Sequence, residues 1–266
     1  MSTKRRTRHD AAIISAHGIV NRFGTQEVHD HVDLEVMRGE ILGLVGGSGS
    51  GKSVLLKTLT GLHRPNHGNV LINGTRVESI SAAEKAASIG VLFQQGALFS
   101  SLTVTQNVML PLREYTDLTR DEREKIAAMK LKLAGFPSDG AMKLPAELSG
   151  GMVKRAAFAR AVALDPEILF LDEPTSDLDP LTAGGLEDLI RHLNDSLGMT
   201  IVIATHDLVT LFTLCDRVGM LVDKKIRTDT VDKLMHSREP WIHEFLHGIR
   251  ARGAMSIRNE ADGTRR

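Results

Sequence analysis

The sequence predicts an α/β protein built on a mostly parallel sheet. Short apolar runs with the length of buried strands recur along the chain, and stretches of helical character separate them. Strands that alternate with helices favour a parallel arrangement, because each helix returns the chain to the edge where the previous strand began. A glycine-rich loop follows the first of these strands and an acidic pair follows the third. The predicted strands are residues 41–45, 89–93, 168–171, 200–204 and 218–222.

The glycine-rich loop matches the pattern G-x-x-x-x-G-K-[ST], with a predicted helix at residues 54–59 directly after it. A chance glycine-rich turn is the alternative, but a strand before the loop and a helix after it disfavour chance. Glycines let backbone N–H groups turn towards an anion, and the helix N-terminus adds its positive dipole end. Lys52 would reach the β- and γ-phosphates of a nucleotide, and Ser53 would hold Mg²⁺. The predicted phosphate-binding residues are Gly46, Gly47, Ser48, Gly49, Ser50, Gly51, Lys52 and Ser53.

Composition excludes several classes of protein. Lys and Arg together number 33, and so do Asp and Glu, which argues against a general nucleic-acid binder. The single cysteine, Cys215, cannot form an intramolecular disulfide and is expected in a buried helix. No apolar run is long enough to span a bilayer, and no apolar secretory segment follows the basic N-terminus. Any membrane association should therefore come through a partner.

The remaining pattern indicates one large domain with an insertion. Strands are predicted at residues 13–23, 28–36 and 70–72, the last closed by an Asn-Gly turn. A helical insertion follows, in which residues 119–134 form a helix with Ile126, Met129 and Leu133 on its apolar face. Further helices are predicted at residues 152–164, 181–197 and 231–246. The predicted domains are a flexible basic tail at 1–10, one domain at 11–247 with the helical part at about 96–164, and a polar tail at 248–266.

An acidic pair, Asp172 and Glu173, ends the buried strand at residues 168–171. Asp172 at a strand end near the phosphate loop can hold Mg²⁺ through water, and Glu173 can polarise an attacking water molecule. A solvated acidic turn is the alternative for such a pair alone. The phosphate loop earlier in the chain favours the catalytic interpretation.

The order of motifs identifies a family. The segment Leu148-Ser149-Gly150-Gly151-Met152 resembles the LSGGQ signature of the nucleotide-binding domains of ABC transporters. The resemblance extends over about residues 12–247. It implies a P-loop NTPase fold of the ABC type, with a mostly parallel core sheet, an antiparallel β subdomain and an inserted helical subdomain. The matching features, in order, are the phosphate loop, Gln94 after residues 91–93, the signature, the acidic strand end, residues 176–179 and His206 after residues 201–205.

This resemblance implies a role for each matching residue. Two copies would face head to tail, and Ser149, Gly150 and Gly151 of one would cap the γ-phosphate held by the other. Phe23 would stack on adenine, although a core phenylalanine is the alternative at that position. The other implied contacts are Gln94 with Mg²⁺ and the attacking water, Asp172 with Mg²⁺, Glu173 with the water, His206 with the γ-phosphate, and Asp179 with the opposite phosphate loop.

Three residues depart from the usual pattern of the family. Val54 replaces a Thr that contacts an α-phosphate oxygen, Met152 replaces the signature Gln, and Asp177 stands where a small residue is common. None of these changes removes a group with an implied catalytic role.

Finer details resemble the ATPases of MCE-associated, Mla-type lipid transporters. These details are residues 93–104, Asn107, Pro111 and the pair Lys154-Arg155 after the signature. The resemblance implies ATP and Mg²⁺ as cofactors, a peripheral position on the cytoplasmic face of the bacterial inner membrane, and phospholipid transport between inner and outer membranes. The implied partners are a second ATPase copy, a permease whose coupling helix docks at residues 97–112, an MCE-domain subunit and a small STAS-domain protein.

Three alternatives remain open from the sequence. The nearest is the ATPase subunit of an ABC importer for a small solute, such as an amino acid or a metal complex. A second is an ABC ATPase that acts on DNA or ribosomes, although the chain lacks the second ATPase domain or long coiled coil usual there. A third is a module that holds ATP without cleaving it, against which Glu173 and His206 argue.

Overall fold

The computed structural model describes residues 12–176 and 178–248. They fall into two compact units, one drawn from Met1–Ser79 and Thr200–Arg266, the other from Ile80–Met199. The tail predicted at 1–10 and Asp177 lie outside the described residues, as does all of the 248–266 tail except Gly248. Within the described part of the chain, no helix is both long and apolar enough to cross a membrane.

The strands of the described residues are, in chain order, β1 (Ala12–Phe23), β2 (Gln26–Met37), β3 (Ile41–Gly46), β4 (His67–Ile72), β5 (Thr75–Arg76), β6 (Ile89–Leu92), β7 (Ile168–Asp172), β8 (Thr200–Ala204), β9 (Arg217–Val222) and β10 (Lys225–Asp229). The α-helices are α1 (Lys52–Leu59), α2 (Ala82–Ser88), α3 (Val104–Tyr115), α4 (Arg120–Leu133), α5 (Gly150–Ala161), α6 (Pro180–Leu197), α7 (Leu208–Leu214), α8 (Val231–Leu234) and α9 (Pro240–His247). All five predicted core strands are present, with ends shifted by at most one residue.

The first unit contains two sheets. An antiparallel sheet has the strand order β2-β1-β4-β5, and a core layer has the order β10-β9-β3-β8. In the core layer β3 is parallel to both β8 and β9, while β10 is antiparallel to β9. Helices α7, α8 and α9 pack their apolar side chains on this layer around Val45 and Met220. The predicted mostly parallel core and antiparallel subdomain are confirmed.

Two predictions about the C-terminal part of this unit are wrong. The helix predicted at 231–246 is broken, because α8 ends at Leu234 and α9 begins only at Pro240. Proline has no N–H to donate and disfavours a helical residue before it, so the chain leaves the helix and re-enters at Pro240. Cys215 follows α7 and is half-buried, whereas the sequence suggested a position within a buried helix.

The second unit pairs β6 and β7 in parallel, with Leu92 beside Leu171, and carries helices α2 to α6. Helices α3 and α4 each begin with a capping box, formed by Thr103 with Gln106 and by Thr119 with Glu122. Helices α3, α4 and α5 all fall inside the helical subdomain expected at about 96–164, whose limits stay a prediction.

The apolar face predicted for α4 is wrong. Met129 is 56% exposed and Leu133 is 38% exposed, whereas Ala127, Lys130 and Leu131 are buried. Lys130 can be buried because its ammonium forms an ion pair with Asp165. The pattern of apolar side chains gave the wrong face because it treated this lysine as a residue of the solvent face.

Candidate functional site

The phosphate loop of the first unit lies between a buried strand and a helix. Every residue of β3 is buried, and the chain then emerges so that Ser48 and Gly49 are exposed. The loop is closed by a hydrogen bond from the Ser50 amide to the Gly47 carbonyl, 3.1 Å long. Gly49 has φ 75° and Gly51 has φ 100°, both in the region that favours glycine. The loop therefore presents backbone N–H groups at the start of α1, a binding arrangement for an anion.

The ammonium of Lys52 lies over this loop. Its Nζ donates to the carbonyl of Gly46 at 2.9 Å and to that of Gly47 at 3.3 Å. The charge is thus held beside the backbone amides of the loop. The hydroxyl of Ser50 is buried and has no hydrogen-bond partner among the described residues. Cation, amide donors and hydroxyl together form a cradle suited to a phosphate chain.

A histidine that the sequence analysis does not single out, His29, packs against the phosphate loop at Gly51. His29 is fully buried, and its Nε2 lies 2.6 Å from where a Cβ on Gly51 would stand. The Asn21 side-chain amide donates to His29 Nδ1 at 2.9 Å and to Thr58 Oγ1 at 3.0 Å. Because Nδ1 accepts, the ring proton of the neutral imidazole is on Nε2, which faces the loop. Only glycine fits at position 51.

Burial, and to a smaller extent the nearby His63, lowers the pKa of His29 to about 4, although the Gly51 backbone acts in the opposite direction. The unfolded chain therefore binds a proton at this histidine from about pH 6.5 downwards, whereas the folded chain binds it only near pH 4. The stability that His29 contributes is complete above pH 6.5 and is lost as the pH falls through that window.

We expect His29→Gln, which keeps an acceptor but does not titrate, to flatten the loss of stability between pH 6.5 and pH 4. At neutral pH the variant should be about 1–3 kcal/mol less stable, because a buried hydrogen-bond network is disturbed. Urea midpoints of both proteins across this pH range measure the difference. Curves that stay parallel throughout the range would contradict a buried neutral His29.

Phe23 ends β1 and is 48% exposed, so the alternative of a core phenylalanine is wrong. One face of its ring stacks on His63, with centroids 5.1 Å apart and planes inclined by 24°. Stacking on one face fixes the orientation of an exposed ring. Its predicted role towards adenine stays a prediction.

His206 lies at the same edge of the core layer as the phosphate loop. Strands β3 and β8 are parallel with Leu44 beside Ala204, and the Thr205 amide donates to the Leu44 carbonyl at 3.1 Å. Both strands therefore end together, and exposed His206 follows β8 by two residues. The first unit therefore brings the phosphate loop and His206 to one edge of its core layer. The predicted contact of His206 with the γ-phosphate stays a prediction.

The second unit has an edge of the same kind. Strands β6 and β7 end side by side, with Gln94 two residues beyond β6 and Glu173 directly after β7. Gln94 is exposed in a turn, whereas Asp172 and Glu173 are both buried. The three polar residues predicted to act on Mg²⁺ and water thus lie at one edge of this pair of strands.

The backbone of Glu173 has an unusual conformation. Its φ is 51°, in the left-handed region, which costs a non-glycine residue on the order of 1–3 kcal/mol. Its carbonyl accepts hydrogen bonds from Lys154 Nζ at 2.6 Å and from Ser176 Oγ at 3.0 Å. These contacts hold the strained peptide that carries the carboxylate.

The signature segment begins α5 in the second unit. Ser149 caps the helix by accepting a hydrogen bond from the Met152 amide at 3.3 Å. Ser149 and Gly150 are exposed, and a Cβ on Gly150 would meet no atom within 4 Å. The amides at the start of this twelve-residue helix therefore face open space, where a further molecule can approach them.

Three other positions of the family pattern have local surroundings that the structure describes. Met152 turns inward, since a Cβ on Gly140 would stand 2.8 Å from its Cε, so it serves packing rather than polar contact. Asp179 is exposed and caps α6 by accepting a 3.0 Å hydrogen bond from the Thr182 amide. The pKa of its carboxyl is lowered by a hydrogen bond from the Thr182 side chain and, to a smaller extent, by this amide. Val54 offers only a half-buried apolar side chain, and its carbonyl accepts from Thr58 at 2.8 Å.

No group of three or more His, Cys, Asp or Glu among residues 12–176 and 178–248 is arranged to hold a metal ion. Mg²⁺ in nucleotide sites takes few protein ligands and completes its shell with phosphate oxygens and water. Half-buried Ser53 at the first turn of α1 in the first unit, and the strand-end Asp172 in the second, each carry an oxygen of the kind that Mg²⁺ prefers.

A phosphate loop in the first unit, and an acidic strand end and a signature helix in the second, are features of an ATP-binding cassette. Residues 29–176 match the ABC transporter family, and the chain belongs to that family. It is an ATP-binding and ATP-hydrolysing cassette, as the order of motifs predicts.

Two relatives and one solved structure within the family are similar to this chain over most of its length. The chain is 39% identical over 231 residues to the intermembrane phospholipid transport system ATP-binding protein MlaF of Escherichia coli K12, covering 85% of each chain. It is 41% identical over 253 residues to a probable ribonucleotide transport ATP-binding protein, mkl, of Mycobacterium leprae, covering 94% of this chain and 72% of the relative. Its fold is similar to the dimeric ATP-binding cassette MJ0796 bound to ADP and Pi, with a TM-score of 0.77 and 32% identity over 82% of this chain and 98% of that one.

Proposed function

We propose that two copies of this chain join head to tail around ATP and drive a membrane permease that moves phospholipid between the inner and outer membranes. The similarity to MlaF over 85% of both chains carries the phospholipid part of this proposal. The exposed start of α5 supports the pairing, because Ser149 and Gly150 are exposed and a Cβ on Gly150 would meet no atom within 4 Å. The dimeric state of the MJ0796 cassette supports it too.

In this proposal the first unit holds the nucleotide. Phe23 stacks on adenine, the loop amides bind the phosphates, and Lys52 leaves the Gly46 and Gly47 carbonyls to bind the β- and γ-phosphates. Bound Mg²⁺, held by Ser53, Gln94 and Asp172, would neutralise charge that develops on the phosphates.

The chemical step then depends on residues at the two strand edges and on the second copy. Glu173 polarises the attacking water, and His206 donates to the γ-phosphate. Ser149, Gly150 and Gly151 of the second copy cap that phosphate, and its Asp179 meets the loop. Closure excludes water, and cleavage introduces repulsion between the products. The reaction thereby opens the dimer, and this movement reaches the permease.

A groove in the second unit is suited to the permease. It has a volume of about 630 Å³ and is formed mainly by α3 and α4 with Met142. Arg120 pairs with Glu124 at 2.8 Å, whereas Arg123 Nε is buried with no hydrogen-bond partner among the described residues. An amphipathic permease helix with a carboxylate opposite Arg123 fits this combination. The groove includes part of the predicted docking segment 97–112, near exposed Phe99, and is lined by Leu102, Thr103, Thr105, Gln106, Met109, Leu110, Arg113, Arg120, Arg123, Glu124 and Met142.

The other partners follow from the same resemblance. We propose an MCE-domain subunit and a small STAS-domain protein in the assembled complex, which sits on the cytoplasmic face of the inner membrane. In this arrangement the ATPase reaches the membrane through the permease.

Purification of the complex from membranes through a tag on this chain tests the proposal. We expect a permease, an MCE-domain protein and phospholipid to co-purify. Arg123→Glu should reduce permease recovery several-fold, since it reverses the charge in the groove. Lys125→Glu, on the same helix but outside the groove, is the matched control and should have no effect. Recovery of a periplasmic solute-binding protein without phospholipid would contradict the assigned cargo.

A second cargo is favoured by the mkl relatives, which are named as probable ribonucleotide transport ATP-binding proteins. It changes the permease and not the cassette, because an ATPase subunit does not contact the cargo. Binding of radiolabelled ribonucleoside and of phospholipid to the purified complex separates the two. Stoichiometric ribonucleoside in place of lipid would establish this second function.

A further inference from the structure

Helix α5 also carries a buried lysine, one turn after its exposed start. Lys154 follows Gly151 by three residues, about 4.5 Å along the helix axis. Its side chain is buried, and its Nζ donates to the Glu173 carbonyl at 2.6 Å and to Ser176 Oγ at 3.1 Å. The same helix therefore exposes the signature segment at its first turn and, one turn later, binds the Glu173 carbonyl through Lys154.

The backbone of Glu173 is strained, and three hydrogen-bond donors converge on its carbonyl. Glu173 has φ 51°, and its carbonyl accepts from Lys154 Nζ, from Ser176 Oγ and from the Ser176 amide. A buried ammonium bonds more strongly to a carbonyl than a neutral donor does. The direction of the Glu173 side chain depends on this peptide, so a shift of Lys154 would redirect the carboxylate.

We propose that Lys154 is a positioning residue that links the signature helix to the catalytic carboxylate of the same copy. When Ser149 and Gly150 engage the ATP held by the second copy, α5 moves as a rigid body and Lys154 carries that movement to Glu173. Each copy thus sets its own water-polarising group only when its signature is occupied. This inference rests on the proposed function, in which Glu173 acts on water and the signature binds the opposite ATP.

The test compares Lys154→Met with Lys154→Gln in the full complex. Methionine keeps the volume of the stem without a donor, whereas glutamine restores a neutral donor. We expect Lys154→Met to lower kcat about 10- to 100-fold, because a misplaced catalytic group costs that much, and to leave ATP affinity within about twofold. Lys154→Gln should recover part of the lost kcat.

Lys130→Met is the matched control. Lys130 is also buried in this unit, and its ammonium pairs with Asp165, outside the proposed catalytic residues. We expect it to lower the thermal midpoint as Lys154→Met does and to leave kcat per folded molecule within about twofold. If Lys154→Met does not fold, Lys154→Gln alone is compared with wild type and should show an intermediate kcat.

The outcomes separate the inference from the function on which it rests. Normal kcat in Lys154→Met, or in Lys154→Gln where only that variant folds, overturns the positioning role. A loss of ATP affinity equal to the loss of kcat overturns it as well. Glu173→Gln is measured in parallel: brisk hydrolysis by that variant overturns the proposed function itself, whatever Lys154 does.

Discussion

Glu173→Gln is expected to lower kcat for ATP hydrolysis by about 100-fold or more and to leave ATP binding close to that of wild type. The amide keeps the size of the side chain but cannot accept a proton from the attacking water. The Glu173 backbone is held by Lys154 and Ser176, so the substituted side chain should stay in place. With binding intact and cleavage blocked, the dimer should remain closed around ATP. Phosphate release and size-exclusion chromatography with ATP measure the two effects.

Glu244→Gln is a suitable control, because Glu244 is an exposed carboxylate on α9 of the other unit. It should not change turnover. Rapid phosphate release by Glu173→Gln, or a dimer that opens at the rate of wild type, would show that another group polarises the water.

Lys52→Ala is expected to abolish high-affinity ATP binding, with Kd raised about 100-fold or more, because two charge-assisted bonds to phosphate are lost. The backbone amides and the Ser50 hydroxyl remain, so weak binding should persist. The fold should survive, because the two hydrogen bonds of the Lys52 ammonium, to the Gly46 and Gly47 carbonyls, lie within the loop itself. Titration with a fluorescent ATP analogue, with thermal unfolding of the same samples, measures both effects.

Lys57→Ala tests the specificity of this result. Lys57 is exposed on the same helix, and its removal should leave Kd unchanged. If Lys52→Ala binds ATP as wild type does, the phosphate loop does not hold the nucleotide through this cation.

Local patterns were sufficient for the strands and for the motifs. The run 41–45 is apolar throughout because β3 is buried on both faces, and a strand of that kind leaves no other interpretation. The phosphate loop and the signature both contain glycines that leave backbone N–H groups accessible to an anion. Both segments begin helices, as predicted. These features depend on residues close in sequence.

Features set by distant residues were not predictable. Lys130 lies on the buried face of α4 because it pairs with Asp165, and the sequence of α4 alone does not predict that partner. His29 supports Gly51 through Asn21 and Thr58, which lie on β1 and α1. The sequence around Lys154 indicates only the family resemblance, because the carbonyl that Lys154 contacts belongs to Glu173, directly after β7. Two features of the sequence could have indicated these contacts: His29 within a predicted strand, and Lys154 within an alanine-rich helix.

The central claim is that each ATP is bound by the phosphate loop of one copy and the signature of the other. Its most direct test counts ATP trapped in mixed dimers that carry Glu173→Gln throughout. One pairing joins a Lys52→Ala copy with a Ser149→Arg copy, and the other places both changes in a single copy. We expect ATP to be trapped in the first pairing and not in the second. The reverse pattern, ATP only when one copy carries both changes, would show that each copy binds its nucleotide alone.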